Sequence, residues 1–252
     1  AKTGDYVVFF GGLNKAEYQD SEGHDRKDFD LPYGQNSVVE ALAEVNRNIV
    51  YVNISGNAAH LSFVKKVPAI IQGWFIGSQA GEALASVLCG DANPSGKLPM
   101  TWNNRLTDYA PHALGTYPGT WRDGKKEILD QEYSEGVYVG YRWNDLKKIK
   151  PVFAFGHGLS YTTFRLSDLR LSAKEMTADE TLTATVTITN TGQRAGAEIV
   201  QPYINDPKAS VDRPYKELKG FQKVYLQPGE RRDVTITIDR RALSFFDEAA
   251  PA

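Results

Sequence analysis

The chain changes its hydrophobic pattern near Tyr161. Before that point, continuous apolar runs alternate with helical patterns, whereas short segments of alternating apolar and polar residues follow Leu166. The first pattern is typical of an open α/β sheet, and the second is typical of a β-sandwich with one solvated side per sheet. We therefore predict an α/β domain over residues 1–162 and an all-β sandwich over residues 163–252. A chain of 252 residues is long enough for both.

Three apolar runs predict the strands of the first domain. The run Tyr6–Phe10 precedes two glycines, and its continuous apolar character predicts a strand buried on both faces of a parallel sheet. Residues 48–56 and 68–77 predict the second and third strands. The stretch EGVYVGYRWND (135–145) alternates well enough to predict a further strand near the end of this domain.

Two amphipathic patterns predict the helices of the first domain. One helix is expected to begin near residue 36 or 37, because Ser37 and Glu40 have the spacing of a capping box. Its predicted buried stripe contains Val38, Leu42 and Val45. The second helix is predicted over residues 78–90.

Period-2 segments predict the second domain. TLTATVTITNTG (181–192) and RDVTITID (232–239) place apolar residues on one side and threonines on the other. Pro202 interrupts a further strand pattern, and this predicts an edge strand or a bulge because proline cannot donate to a strand ladder.

A long charged loop, residues 13–35, separates the first strand from the first helix. It contains the stretch YQDSEGHDRKDFDLP (18–32) and begins where ligands bind in open α/β folds, beyond the carboxyl end of a strand. Loops of this length in compact domains are usually functional or disordered. Gly23 after Glu22 permits close approach to a ligand, and Arg26 is expected to pair with Asp25 or Asp28 and fix the loop. The alternative is an ordinary solvated loop.

Charge and spacing argue against several other functions. The formal net charge of −2 gives no case for nucleic acid or an anionic membrane as partner, and no apolar run reaches the ~20 residues of a membrane span. The glycines lack the spacing of a phosphate-binding loop, and the scattered residues His60, His112 and His157 lack that of a zinc site. We therefore expect no metal and no cofactor. Sugar rings could stack on tryptophans, although packing is the more common use of such side chains; the four are Trp74, Trp102, Trp121 and Trp143.

Five ordered motifs resemble the carboxyl-terminal half of family 3 glycoside hydrolases, the β-glucosidases and β-xylosidases. They are GLNKAEYQDSEGHDRKDFDLPYGQ, PAIIQGWFIGSQAGEALASVLCGDANPSGKLPMTW, YSEGVYVGYRW, PVFAFGHGLSYTTF and ELKGFQKVYLQPGERRDVTITI, and they are distributed from residue 12 to residue 238, so the likeness extends over nearly the whole chain. The resemblance implies an α/β sandwich domain followed by a fibronectin type III-like β-sandwich. It also implies that the family's catalytic (β/α)8 barrel is absent from this chain.

The resemblance assigns a role to the charged loop. Glu22 matches the family's general acid/base, whereas the nucleophilic aspartate belongs to the barrel and has no counterpart here. His24 is a weaker candidate for contact with the leaving-group sugar, and Asp25 and Arg26 are expected to be loop scaffold. The implied activity is that of a retaining, exo-acting β-glucosidase. The implied partners are a β-linked oligosaccharide or glycoside and the amino-terminal barrel, as a domain or a separate chain, without which we expect no activity.

Two alternatives stay open from the sequence. The first is a β-xylosidase of the same family, because specificity depends on barrel residues that this chain lacks. The second is a non-catalytic module for carbohydrate binding or packing. We expect a periplasmic or extracellular location rather than a cytoplasmic one.

Overall fold

A computed structural model describes residues 2–122, 124, 128–177 and 179–246 of the chain. The described residues form two compact units. The first draws on Ala1–Cys89 and Thr101–Ala154, and the second on Gly90–Met100 and Phe155–Ala252. The first is an α/β open sheet and the second is all-β, which confirms the predicted fold class. These units are defined by packing, and the domain boundary between residues 162 and 163 stays a prediction.

The first unit is built around a parallel sheet. Its three strands lie in the order β1-β2-β3, with β2 at the centre. The elements are β1 (Val7–Gly12), α1 (Gln35–Val45), β2 (Ile49–Ile54), β3 (Ala69–Gln72), α2 (Ala80–Cys89), α3 (Ala110–Leu114), β4 (Thr120–Trp121), β5 (Leu129–Asp130) and α4 (Tyr141–Lys147), with 3₁₀ turns at Pro32–Gly34 and Leu106–Asp108. Tyr51 and Val52 of the central strand are fully buried, as are Val39 of α1 and Phe63.

Strand β1 differs from its prediction. The strand is an edge of the sheet, and Val8 is 43% exposed and Phe10 57% exposed. The prediction of burial on both faces is therefore wrong for the described structure, in which only one side of β1 is covered. An apolar run indicates that a strand face tends to be buried, but it does not identify the residues that pack against that face.

Helix α1 also differs from its prediction. It begins at Gln35 after a left-handed Gly34, so Ser37 lies inside the helix rather than at its cap. Glu40 accepts a hydrogen bond from the Ser62 hydroxyl (2.6 Å) instead of closing a capping box. The buried position is Val39, whereas the stripe residues Val38 and Val45 are 47% and 43% exposed.

Residues 135–145 form a turn and helix α4 rather than the predicted strand. Gly140 precedes the helix with φ of 61°, a conformation that interrupts an extended strand. Trp143 and Asn144 are then both buried, and the Asn144 amide donates to the Asn103 side chain (2.7 Å). Consecutive buried side chains fit a helix better than a half-exposed strand, and these contacts override the local alternation.

The second unit contains antiparallel strands around its own apolar core. Its elements are β6 (Phe164–Leu171), β7 (Leu182–Asn190), β8 (Gly196–Val200), β9 (Tyr203–Ile204), β10 (Glu217–Leu218), β11 (Gln222–Leu226), β12 (Arg231–Ile238) and α5 (Arg240–Leu243). One sheet has the order β12-β7-β6, and β8 pairs with β11. Ile188, Val200, Leu226 and Val234 form the centre of the core. Strand β8 ends before Pro202, in agreement with the predicted interruption.

Candidate active-site loop

The charged loop and the segment after β2 leave the sheet at the same edge. β1 and β2 are parallel, and Gly12 lies opposite Ile54 where both strands end. The Leu13 N–H continues the ladder by donating to the Ile54 carbonyl (2.8 Å). The loop then runs to Leu31 before the 3₁₀ turn, so it begins at the carboxyl edge where the sequence places it.

Gly12 makes the entry into this loop possible. Its φ is 124°, and a Cβ at this position would lie 2.1 Å from the Ile54 carbonyl oxygen. No L-residue fits both the backbone conformation and that contact without a shift of the strand end. The close approach of the two chains explains why a glycine closes the apolar run.

Residues 55–60 form a fixed segment beneath the loop. The Ser55 hydroxyl donates to the Asn57 carbonyl (2.8 Å) and accepts from the fully buried Asn53 amide (2.8 Å). The Trp102 indole N–H donates to the Ala59 carbonyl (2.8 Å), and Ala59 is itself fully buried. Because the segment is held by buried side chains, it can serve as a rigid support for a neighbouring loop.

The charged loop is bonded to the 55–60 segment along its length. The Asp20 carboxylate accepts from the Gly56 N–H (2.6 Å), and Arg26 Nη2 donates to the Ala58 carbonyl (2.6 Å). Further on, the His60 N–H donates to the Phe29 carbonyl (2.8 Å), and His60 Nδ1 lies 2.6 Å from Asp30 Oδ1. These bonds show that the loop is ordered by tertiary contacts rather than freely solvated.

Glu22 lies in an exposed turn between the first two of these bonds. Gly23 follows it with φ of 83°, and no atom lies within 4 Å of the position that its Cβ would take. Within the described ranges, the Glu22 carboxylate makes no hydrogen bond or ion pair, in contrast to Asp20, Asp25 and Asp30. Its side chain is therefore available to a group outside the described residues.

His24 contacts residues of the charged loop itself, whereas Asp25 contacts a residue distant in sequence. The His24 ring packs edge-on against Tyr18 (5.1 Å between centroids), and its Nε2 lies 3.7 Å from a Glu17 carboxylate oxygen. Asp25 accepts the Tyr117 hydroxyl, and this bond is the main cause that raises the pKa of Tyr117 to about 12. His24 is about half exposed, so its ring remains open to solvent beside Glu22.

The predicted pairing of Arg26 with Asp25 or Asp28 is wrong. Neither carboxylate lies within ion-pair distance in the described structure: Asp25 binds Tyr117, and Asp28 accepts the Asp30 N–H (3.0 Å). Arg26 instead extends to the Ala58 carbonyl. Burial lowers the pKa of the Arg26 guanidinium, and the nearby charges of Asp20 and Asp28 oppose that shift. A main-chain carbonyl replaces the expected carboxylate because the 55–60 segment lies closer to the guanidinium.

Sequence reasoning missed Asp20, the 55–60 segment and Tyr117. A signal for the segment was present, since parallel neighbours end at one edge and the loop after β2 must therefore adjoin the loop after β1. Tyr117 carried no such signal, because it comes from a turn-rich excursion distant in sequence.

The tryptophans and histidines noted in the sequence lie in different environments. Trp102 and Trp143 are buried, whereas Trp121 is 45% exposed. The His112 ring contacts the Tyr117 ring at a tilted angle (5.1 Å between centroids), and burial lowers the pKa of His157. Among the described residues, no three His, Cys, Asp or Glu side chains group as a possible metal site. Nor is any described helix both long and apolar enough to cross a bilayer.

Comparison with protein families identifies both parts of the chain. Residues 1–141 match the glycosyl hydrolase family 3 C-terminal domain, and residues 198–251 match a fibronectin type III-like domain. The chain is 48% identical to the β-glucosidase BoGH3A of Bacteroides ovatus and 44% identical to the thermostable β-glucosidase B of Acetivibrio thermocellus. Each alignment covers 98% of this chain but only 32% and 31% of the relatives. The chain thus spans about a third of their length.

Solved structures give the same result. The crystal structure of the Bifidobacterium adolescentis GH3 β-glucosidase matches with a TM-score of 0.87 and 37% identity, over 98% of this chain and 35% of that one. The β-glucosidase DesR of Streptomyces venezuelae, solved in complex with D-glucose, matches with a TM-score of 0.87 and 36% identity, over 98% of this chain and 30% of that one. The described residues contain open sheets and no (β/α)8 barrel. The chain therefore belongs to glycosyl hydrolase family 3 and comprises the carboxyl-terminal α/β domain and the fibronectin type III-like domain of that family.

Proposed function

We propose that this chain is the acid/base-bearing part of a retaining, exo-acting β-glucosidase that removes terminal non-reducing β-linked glucose. In this proposal Glu22 is the general acid/base, and the nucleophilic aspartate is supplied by a (β/α)8 barrel outside the chain. The substrate is a β-linked oligosaccharide or glycoside, and neither a cofactor nor a metal takes part.

The observation that carries the proposal is the state of the Glu22 carboxylate. It is exposed and unbonded within the described residues, while the loop on both sides of it is held on the 55–60 segment. Bonds on both sides of a free carboxyl group give it the fixed position that a general acid/base requires. The relatives at 44–48% identity are β-glucosidases, which favours glucose over xylose as the sugar.

Retaining hydrolysis gives the free carboxyl group its task. Such enzymes place two carboxyl groups about 5–5.5 Å apart, one on each side of the glycosidic bond. One attacks the anomeric carbon while the other protonates the leaving oxygen and later takes a proton from water. Glu22 fits the second role because its turn projects from the sheet edge. We assign His24, two residues further on, to contact with the leaving-group sugar.

The stereochemistry of hydrolysis tests the proposal. We expect the full-length protein to release β-glucose first from an aryl β-glucoside, which proton NMR can follow before mutarotation. The 252-residue chain alone should release none, because it lacks the nucleophile. We also expect kcat/KM to be higher for the aryl β-glucoside than for the matching β-xyloside.

Each alternative predicts a different outcome of this experiment. Initial release of α-glucose would exclude a retaining mechanism. A higher kcat/KM for the β-xyloside would identify a β-xylosidase. A full-length protein that hydrolyses neither substrate yet binds glucosides would support the non-catalytic module, and hydrolysis by the isolated chain would refute the assignment of the nucleophile to the barrel.

A further inference from the structure

The turn that carries Glu22 is fixed at both ends to one support. Asp20 lies two residues before Glu22 and binds the Gly56 N–H, and Arg26 lies four residues after it and binds the Ala58 carbonyl (both 2.6 Å). The two bonds are made to main-chain atoms only two residues apart. The arc from residue 20 to residue 26 is therefore closed over the 55–60 segment, and Glu22 lies within that arc.

The support is itself rigid. Ala58 and Ala59 are 1% and 0% exposed, and the Trp102 indole holds the Ala59 carbonyl. On the other side, Asn53 connects Ser55 to Gln72 of strand β3 through its amide (2.8 and 2.6 Å). A loop bonded to this segment inherits its position from the sheet core, whereas an unbonded loop of this length would sample many conformations.

The surroundings of Arg26 fix the position of its guanidinium. Its guanidinium lies over the buried Phe29 ring (5.6 Å), and Phe29 packs edge-on against Tyr109. Nη1 is buried without a hydrogen-bond partner among the described residues, so the Nη2 bond to Ala58 is the polar contact that orients the group. The neighbouring Lys27 differs, because its ammonium lies over the Tyr18 ring (3.8 Å) within the loop itself.

We propose that Asp20 and Arg26 are positioning residues that hold the Glu22 carboxyl group at the distance required for proton transfer to the leaving oxygen. This inference rests on the proposed function of Glu22. Neither side chain is assigned to the substrate; each acts through the backbone of the 55–60 segment. Proton transfer needs hydrogen-bond reach, and a displacement of about 1 Å in a catalytic group can lower the rate on the order of 10²-fold.

Leaving-group dependence in the full-length enzyme tests the role of Arg26. We expect Arg26→Met to lower kcat/KM about 10–100-fold for an alkyl β-glucoside, whose leaving oxygen needs a proton, and less than about threefold for 2,4-dinitrophenyl β-glucoside. The control, Lys27→Met, removes the adjacent cation and should leave both values unchanged. Equal losses for both substrates with Arg26→Met, or no loss for either, would overturn the proposal for this residue.

A second pair of variants tests Asp20, whose side chain is half-buried. Asp20→Ala removes the acceptor for the Gly56 N–H and should reproduce the selective loss. Asp20→Asn keeps an amide oxygen that can accept this bond and should restore most of the activity on the alkyl glucoside. Hydrogen–deuterium exchange over residues 18–30 should be faster in Asp20→Ala than in Asp20→Asn. Identical kinetics and exchange for the two variants would overturn the anchoring role.

The outcome for Glu22 itself separates this inference from the proposed function. If Glu22→Ala shows no preference between leaving groups, the proposed function fails and the positioning role fails with it. If Glu22→Ala discriminates strongly while Arg26→Met and Asp20→Ala do not, Glu22 remains the acid/base and only the positioning role is refuted.

Discussion

Replacement of Glu22 by alanine in the full-length protein is expected to lower kcat/KM for an alkyl β-glucoside by about 10²–10⁴-fold. The loss corresponds to about 3–5 kcal/mol of transition-state stabilisation. It arises because the leaving alkoxide, a strong base, departs without a proton when the carboxyl group is missing. A 2,4-dinitrophenolate leaves readily without protonation, so the first step on that substrate should be affected much less.

Azide provides an independent measurement on the same variant. In a retaining mechanism, the second step needs a base to activate water, and this base is also lost in Glu22→Ala. Azide attacks without deprotonation and fits the space that the carboxylate leaves. We therefore expect added azide to increase turnover of 2,4-dinitrophenyl β-glucoside and to yield β-glucosyl azide, which NMR identifies by its anomeric coupling.

Glu44→Ala is the matched control for Glu22. Glu44 is an exposed glutamate of helix α1, outside the charged loop. Its removal changes the net charge by the same amount as Glu22→Ala. We expect changes of less than about threefold on both substrates. Equal losses on both leaving groups in Glu22→Ala, or azide rescue in Glu44→Ala, would contradict the assignment of Glu22.

The open parallel sheet and the position of the loop could be predicted because they follow from hydrophobic periodicity and from the topology of such sheets. Three apolar runs separated by a loop and a helical pattern specify a parallel α/β sheet, and such a sheet places its loops after strands at one edge. The position of Glu22 at that edge needed no tertiary information. The two-domain division was predicted from the change to period-2 segments, which are typical of antiparallel strands with one solvated side.

The sequence could not predict which apolar residues are buried by packing. Val8, Phe10 and Val38 are apolar but exposed, whereas Val39 is fully buried one position along the same helix. Successive side chains on a helix point in directions about 100° apart around its axis. Which of them is buried depends on the element that packs against the helix. The prediction of a strand over residues 135–145 was wrong for a similar reason, because the buried packing of Trp143 and Asn144 involves partners distant in sequence, such as Asn103.

Topology could place the 55–60 segment beside the charged loop, but the individual bonds between them could not be predicted from the sequence. Asp20 and Arg26 bind a main-chain N–H and a main-chain carbonyl, groups that every residue except proline provides. No residue type in the 55–60 segment marks it as their partner. The expected carboxylate partners, Asp25 and Asp28, were the natural choice from charge alone, yet each is satisfied elsewhere.

Trp102→Ala is expected to destabilise the α/β domain by about 3–5 kcal/mol and to lower the midpoint of its thermal transition by about 6–20 °C. Trp102 is 2% exposed, packs edge-on against Phe153 and donates to the Ala59 carbonyl, so the change leaves a cavity and an unpaired carbonyl. Calorimetry should detect the shift. Trp102→Phe keeps most of the ring and loses the indole N–H, so it should lie between Trp102→Ala and the wild type.

Trp121→Ala is the control, because it removes an exposed tryptophan where Trp102→Ala removes a buried one. Trp121 is 45% exposed on the short strand β4, and its removal should change the free energy of unfolding by less than about 0.5 kcal/mol. Because Trp102 also holds the 55–60 segment, Trp102→Phe should speed hydrogen–deuterium exchange over residues 18–30, whereas Trp121→Ala should not. A midpoint shift in Trp121→Ala as large as that in Trp102→Ala would contradict the role of Trp102 as the buried link between the core and the loop that carries Glu22.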